Sequence, residues 1–167
     1  MLFKKTALLL LGVIAAFVAW TWWHSDARRI GRRLECLTES VEKSPGEGPL
    51  AAALKAEQVG RLFAEPFEFR ARQFDFETRD RQALIRAVVL YRLRSERIVS
   101  RILDKRLDVD SAGRKATMVF TARFVGGWSG IGNDAYRFQL NWVEQQGEWK
   151  IEYVDLLEIV PATTIGL

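Results

Sequence analysis

The chain has 167 residues, with 25 Lys and Arg against 21 Asp and Glu, a formal net charge of +4, one cysteine and one histidine. A lone Cys36 rules out an intrachain disulfide or a thiolate metal cluster, and a lone His24 argues against zinc hydrolysis and histidine-dependent acyl transfer. The basic excess is local: Lys4, Lys5, Arg28, Arg29, Arg32 and Arg33 carry it, and from Leu34 onward 19 basic residues meet 20 acidic ones, so the main body makes no electrostatic case for nucleic acid.

Residues 6–23 carry no charge. At about 1.5 Å per residue they span about 27 Å as a helix, close to the apolar thickness of a bilayer. Trp20, Trp22 and Trp23 close the run like an interfacial aromatic belt, and the four arginines that follow suit anionic headgroups. The expectation is an uncleaved anchor over residues 1–24, with one folded domain over 25–167. A signal peptide usually has a shorter apolar core and small residues at its cleavage site, and Ser25-Asp26-Ala27 is a weak match. Lys4 and Lys5 favour a cytoplasmic N-terminus, which puts the domain on the outer face of the membrane. A cleaved signal with a soluble exported domain, or a domain facing the cytoplasm, are the alternatives.

Ser25 is expected to cap a helix with its apolar stripe at Ile30, Leu34, Leu37 and Val41. Residues 44–48, with one proline and two glycines, end it. Pro49 starts a second helix to about residue 64, through Leu50, Leu54, Val59, Leu62 and Phe63, with one thin side of alanines and Gly60 that allows close approach to a neighbour. Residues 67–77 read as an edge strand, and 79–94 as a third helix with Leu84, Val88 and Tyr91 inward and its arginines solvated.

The period then changes to two. Val99, Leu103, Leu107 and Val109 share one face, a turn follows at 110–113, and Met118, Phe120, Ala122 and Phe124 share the next. Beyond a glycine-rich loop containing Trp128, the residues Tyr136, Phe138, Leu140 and Trp142 alternate with Arg137, Gln139 and Asn141. Gln146-Gly147 makes a tight turn into a last strand with Trp149, Ile151 and Tyr153 inward.

This α+β order, and above all the hairpin of residues 136–144 joined through Gln146 and Gly147 to Trp149 and Ile151, resembles the nuclear transport factor 2-like superfamily, which includes ketosteroid isomerase, scytalone dehydratase and polyketide cyclases. The resemblance covers residues 25–160. It implies a curved antiparallel sheet wrapped by about three helices into a cone around a cavity, used for catalysis in some members and for ligand or partner binding in others. Fold does not choose between these uses.

An isomerase-like site needs a carboxylate base in an apolar pocket beside a hydroxyl donor. Strict alternation puts Asp155 on the buried face with Tyr153 or Tyr136 as donor, whereas a bulge near Val154, Leu156 and Leu157 turns Asp155 to solvent. Asp75 is a second candidate base. Trp128 is a candidate gate or partner anchor, with Tyr136 a further ligand contact, or else Trp128 plugs the core. The leading expectation is a membrane-anchored, non-enzymatic domain binding a partner protein or a small apolar ligand. The alternative is an isomerase, dehydratase or cyclase acting by carboxylate chemistry on a hydrophobic substrate. No cofactor and no metal are expected. Partners are membrane lipid through the anchor and a second copy or another protein through the sheet face bearing Arg137, Gln139 and Asn141.

Overall fold

The computed structural model describes residues 25–125 and 135–160. The apolar run with Trp20, Trp22 and Trp23, and the glycine-rich loop with Trp128, lie outside the described residues. Among the described residues no helix is long and apolar enough to cross a membrane.

Helix α1 (Asp26–Val41) buries Ile30 and Leu34 and packs Leu37 and Val41 against the core, the stripe its spacing predicts. Ser25 occupies the cap position, but its side chain makes no capping bond. Asp26 supplies the negative charge in the first turn instead, where the helix dipole favours it.

Helix α2 (Pro49–Arg61) packs by the thin side of alanines and Gly60 that its sequence offers to a neighbour. Ala52, Ala56, Val59 and Gly60 are buried, while Leu50 and Leu54 are 76% and 59% exposed. The thin side is the packing side, because α3 (Arg81–Arg94) lies against it. A Cβ placed on Gly60 would fall 2.8 Å from Ile85 Cδ1, so any larger residue there would force the Ile85 side chain to shift.

Strand β1 (Phe63–Ala71) begins where α2 was expected to continue. It is an interior strand, with β2 (Phe76–Thr78) antiparallel on one side and β6 (Glu148–Val160) parallel on the other; the edge position belongs to the three-residue β2. A short 3-10 turn, Arg72–Phe74, links the two. Asp80 caps α3 by accepting from the Gln82 amide.

Strands β3 (Val99–Asp110), β4 (Lys115–Val125), β5 (Ala135–Gln145) and β6 form an antiparallel meander, and the six-stranded curved sheet runs β2-β1-β6-β5-β4-β3. The β5–β6 turn has both Gln146 and Gly147 at positive φ, as a tight two-residue hairpin requires. The three helices cover one face of this sheet. The fold is therefore the α+β architecture expected: a curved sheet wrapped by three helices.

Bulges change which residues face inward, one in β3 and two in β6, at Glu152 and Leu157. In β3 the register slips between Ile102 and Asp104, so Ile102 packs on the core and Leu103 is 44% exposed. In β6, Trp142 pairs with Ile151 while its neighbour Asn141 pairs with Tyr153. The extra residue, Glu152, reverses the parity of the strand beyond it.

The far end of α1 is fastened to the far end of α3. Arg92, wholly buried on α3, donates from Nη1 to the carbonyls of Ser40 and Val41 (2.7 and 2.8 Å), from Nη2 to that of Glu42 (3.0 Å), and from Nε and Nη2 to the Glu47 carboxylate. Lys43, just past α1, donates in return to the carbonyls of Arg92 and Ser95 at the end of α3. Each helix thus supplies the cation that caps the other's carbonyl end. An arginine expected on a solvated face is the tie between two helices.

Candidate functional site: an apolar chamber

Between the helices and the concave face of the sheet lies a chamber of about 400 Å³. Leu34, Leu37 and Val41 of α1 and Leu84, Val88 and Tyr91 of α3 form one wall. Phe69 of β1, Phe120 of β4, Phe138 and Leu140 of β5 and Val154 of β6 form the other. These strand positions are the inward parity of the meander, and Phe120 stacks on Phe138 with centroids 5.5 Å apart. Phe74, on the 3-10 turn, lines the chamber while remaining 48% exposed. Such a concave, mostly apolar hollow is the usual form of a small-molecule site.

Among the described residues the lining holds no Asp, Glu, Lys or His. Its one charged side chain, Arg92, is committed to Glu47 and the α1 carbonyls. Thr38 donates to the Leu34 carbonyl (2.9 Å) and the Ser100 hydroxyl to Glu42 Oε1 (3.2 Å). Tyr91 differs, because its hydroxyl has no hydrogen-bond partner among the described residues. Burial pushes its phenol above the ordinary tyrosine range, so it keeps its proton. Sequence reading placed Tyr91 on the inward stripe of α3 without singling it out. The signal was there, since it is the only hydroxyl on that stripe.

The acid–base candidates lie elsewhere. Beyond the Glu152 bulge, Val154 lines the chamber while Tyr153 and Asp155 stand on the opposite face of the sheet. There Tyr153 donates to Asp155 Oδ2 (3.1 Å) and Arg70 lies over the Tyr153 ring, 5.5 Å from its centroid. Burial first, and then the bond to Asp155, raise the Tyr153 phenol above its usual value. Arg70 also pairs with Glu68, which Arg79 reaches at 3.2 Å. Burial pulls the Glu68 carboxyl upward, but these two guanidinium partners outweigh it and the net effect is a lowered pKa.

Asp75 is exposed, at positive φ, and ends the 3-10 turn. Tyr136 is 4% exposed in a second apolar cluster with Ala71 and Leu156, its ring 5.8 Å from Phe124. Strict alternation therefore overstated the inward set of β6: the structure pairs Asp155 with Tyr153, but on the outer face of the sheet, and leaves Tyr136 and Asp75 apart from them. Arg137, Gln139 and Asn141 share the outer sheet face, where Gln139 donates to Asn141 and Arg137 pairs with Glu158 at 3.3 Å. Of the interfacial arginines, Arg29 pairs with Asp26 and Glu144, and Arg33 with Glu148.

No family model matches the sequence, and no curated protein is similar to it by sequence. Solved structures do match it in three dimensions. An uncharacterised protein with a cystatin-like fold from Caulobacter vibrioides is 13% identical, with a TM-score of 0.63 over 83% of this chain and 92% of that one. A nuclear transport factor 2-like protein from Cytophaga hutchinsonii is 11% identical, with a TM-score of 0.59 over 81% of this chain and 98% of that one. A putative scytalone dehydratase from Novosphingobium aromaticivorans is 16% identical, with a TM-score of 0.57 over 78% of this chain and 82% of that one. The fold is thus that of the cystatin-like, nuclear transport factor 2-like proteins, and at these identities the likeness extends to the fold alone.

Proposed function

We propose that this protein is a membrane-anchored binding domain, not an enzyme, whose chamber holds a small apolar ligand. The observation that carries the reading is the lining itself: about 400 Å³ walled by aliphatic and phenyl side chains, with no carboxylate among the described residues. Carboxylate acid–base catalysis would place a carboxylate in that hollow, and Asp155 is turned away from it. Binding an apolar ligand needs only the walls. The membrane part rests on the sequence: residues 1–24 anchor the chain, Trp20, Trp22, Trp23 and Arg28, Arg29, Arg32 and Arg33 lie at the interface, and the domain stands on the outer face. The outer sheet face, with Arg137, Gln139 and Asn141, is where a second copy or another protein docks.

The chamber is tested with the full-length protein reconstituted in nanodiscs and titrated with an apolar fluorescent probe, with empty nanodiscs as blank. Saturable binding is expected for the wild type. Val88→Trp, which fills the hollow, should abolish it while leaving the circular dichroism spectrum intact. Binding indifferent to Val88→Trp rejects the chamber as the site. Retention of the chain in membranes after alkaline carbonate extraction, together with protease accessibility of the domain from the outside, tests the anchor and its orientation.

A further inference from the structure

We infer that the end of the domain formed by its two hairpin turns, residues 111–114 and 146–147, seats on the headgroups of an anionic bilayer and holds the mouth of the chamber on the aqueous side. The inference rests on residues 1–24 being a membrane anchor, and adds which surface meets the lipid and from which side the chamber is filled.

Contact follows from reach. Only two residues separate Trp23, the last of the uncharged run, from Asp26, so Asp26 lies within about 11 Å of it. The first turn of α1 is bonded to both hairpins. The Asp26 carboxylate accepts from the Ser111 hydroxyl (2.9 Å) and from Trp149 Nε1 (3.2 Å), while Arg29 donates to the Gly147 carbonyl and pairs with Glu144 at 3.1 Å. The Glu144 amide donates in turn to the Arg114 carbonyl (3.0 Å), joining one hairpin to the other. An anchor ending at residue 23 therefore delivers both turns to the bilayer surface. Residues 111–115 and 146–148 are all exposed.

The charge at this end suits anionic lipid. Arg114, 3.8 Å from Glu144, is 74% exposed at its side chain, and Lys115 is exposed beside it. The neighbouring carboxylates are engaged: Asp26 and Glu144 as above, Glu148 with Arg33 at 3.1 Å, and Asp110 as acceptor of the Gly113 amide. Basic side chains within a Debye length of an anionic leaflet are drawn to it.

The mouth lies at the opposite end. Helix α1 runs beside β3 from the Ser111 turn to Ser100, whose amide and hydroxyl donate to Glu42 just past the helix. Ser100 pairs with Phe124, which is nine residues along β4 from Lys115, a distance of about 30 Å. There the Tyr136 ring stands between those of Phe124 and Phe74, with centroids 5.8 and 6.1 Å away. Phe74 lines the chamber and is 48% exposed, whereas Phe63, paired with Ile151 near the β5–β6 turn, lines it at 2%. With the turns on the lipid, the chamber exchanges its ligand with the water phase and not with the bilayer.

The test uses the full-length protein carrying Cys36→Ser and one new cysteine, Ala112→Cys, Gln146→Cys or Arg72→Cys, all at exposed positions. Each variant is labelled with a fluorophore and reconstituted in nanodiscs of phosphatidylcholine and phosphatidylglycerol that contain a lipid with a quencher on its headgroup. Labels at 112 and 146 should be quenched several times more strongly than the label at 72, which sits on the 3-10 turn beside Phe74. Omitting phosphatidylglycerol, or adding Arg114→Glu with Lys115→Glu, should weaken the quenching at 146. Equal quenching at all three positions, or none at the two turns, in a chain that resists carbonate extraction overturns the inference and leaves the anchor in place. Turn quenching that ignores both changes of charge overturns the anionic lipid as the partner. Loss of the chain from membranes on extraction overturns anchor and inference together.

Discussion

Asp26 is the residue on which the start of α1 depends. Its Oδ1 accepts from Arg29 and from the indole of the nearly buried Trp149, and its Oδ2 from Ser111. One carboxylate thereby joins α1 to the β3–β4 turn and to β6. Burial pulls its pKa up, but the bonds from Ser111, Trp149 and Arg29 and the Arg29 charge outweigh this, and the net shift is downward. A lowered folded-state pKa means that stability from this group is complete above the unfolded value of about 3.9 and is lost as pH falls through the folded value. Asp26→Asn should therefore cost about 1–2 kcal/mol at pH 7, and urea midpoints measured downward from pH 5 should converge with the wild type in acid. Tyr153 moves the other way. Its absorbance titration, isolated by difference against Tyr153→Phe, should lie above that of an ordinary tyrosine. Asp155→Asn should bring it down by removing the negative charge that disfavours the phenolate.

The exchange of caps between α1 and α3 belongs to the scale of elements. Replacing Arg92 by leucine strips the Glu47 carboxylate of its buried cation and takes a donor from the carbonyls of Ser40, Val41 and Glu42, of which Glu42 keeps Lys55, so Arg92→Leu should cost about 3–5 kcal/mol by denaturant unfolding. Following it with Glu47→Leu should recover part of that loss by removing the stranded charge. None of this was legible in the sequence, where an arginine among arginines on a helix reads as solvated. It becomes visible only when α3 is laid beside the carbonyl end of α1. The strands were far more legible, because β4 and β5 keep strict alternation from Ala116 to Phe124 and from Tyr136 to Trp142. The packing side of α2 was legible too, in its alanines and Gly60, although the exposure of Leu50 and Leu54 follows only once α3 lies against that side.

At the scale of the whole molecule, sequence order was enough to suggest a helix-covered curved sheet, since a change of period from 3.6 to 2 survives local errors. The contents of its hollow were not, because each bulge inverts every assignment beyond it. The hollow also predicts a contrast in stability. Ala122 borders it and Ala116 does not, although both are 3% exposed on the same face of β4. Ala122→Leu should be tolerated or gain about 0.5–1 kcal/mol by filling space. Ala116→Leu should cost about 1–3 kcal/mol, because it meets an occupied core beside Trp142. Equal thermal midpoints for the two variants would show that the chamber is not the softer site.

The slip at Glu152 also has an evolutionary reading. Had it fallen after Asp155, alternation from Ile151 would have carried Tyr153 and Asp155 inward, equipping the same walls with a proton acceptor and its hydroxyl companion. A vessel and a reactor on this scaffold are thus separated by where one surplus residue is accommodated, with no side chain changed. Moving that surplus residue along the last strand would exchange one use for the other, a difference that tallies of residue identity overlook.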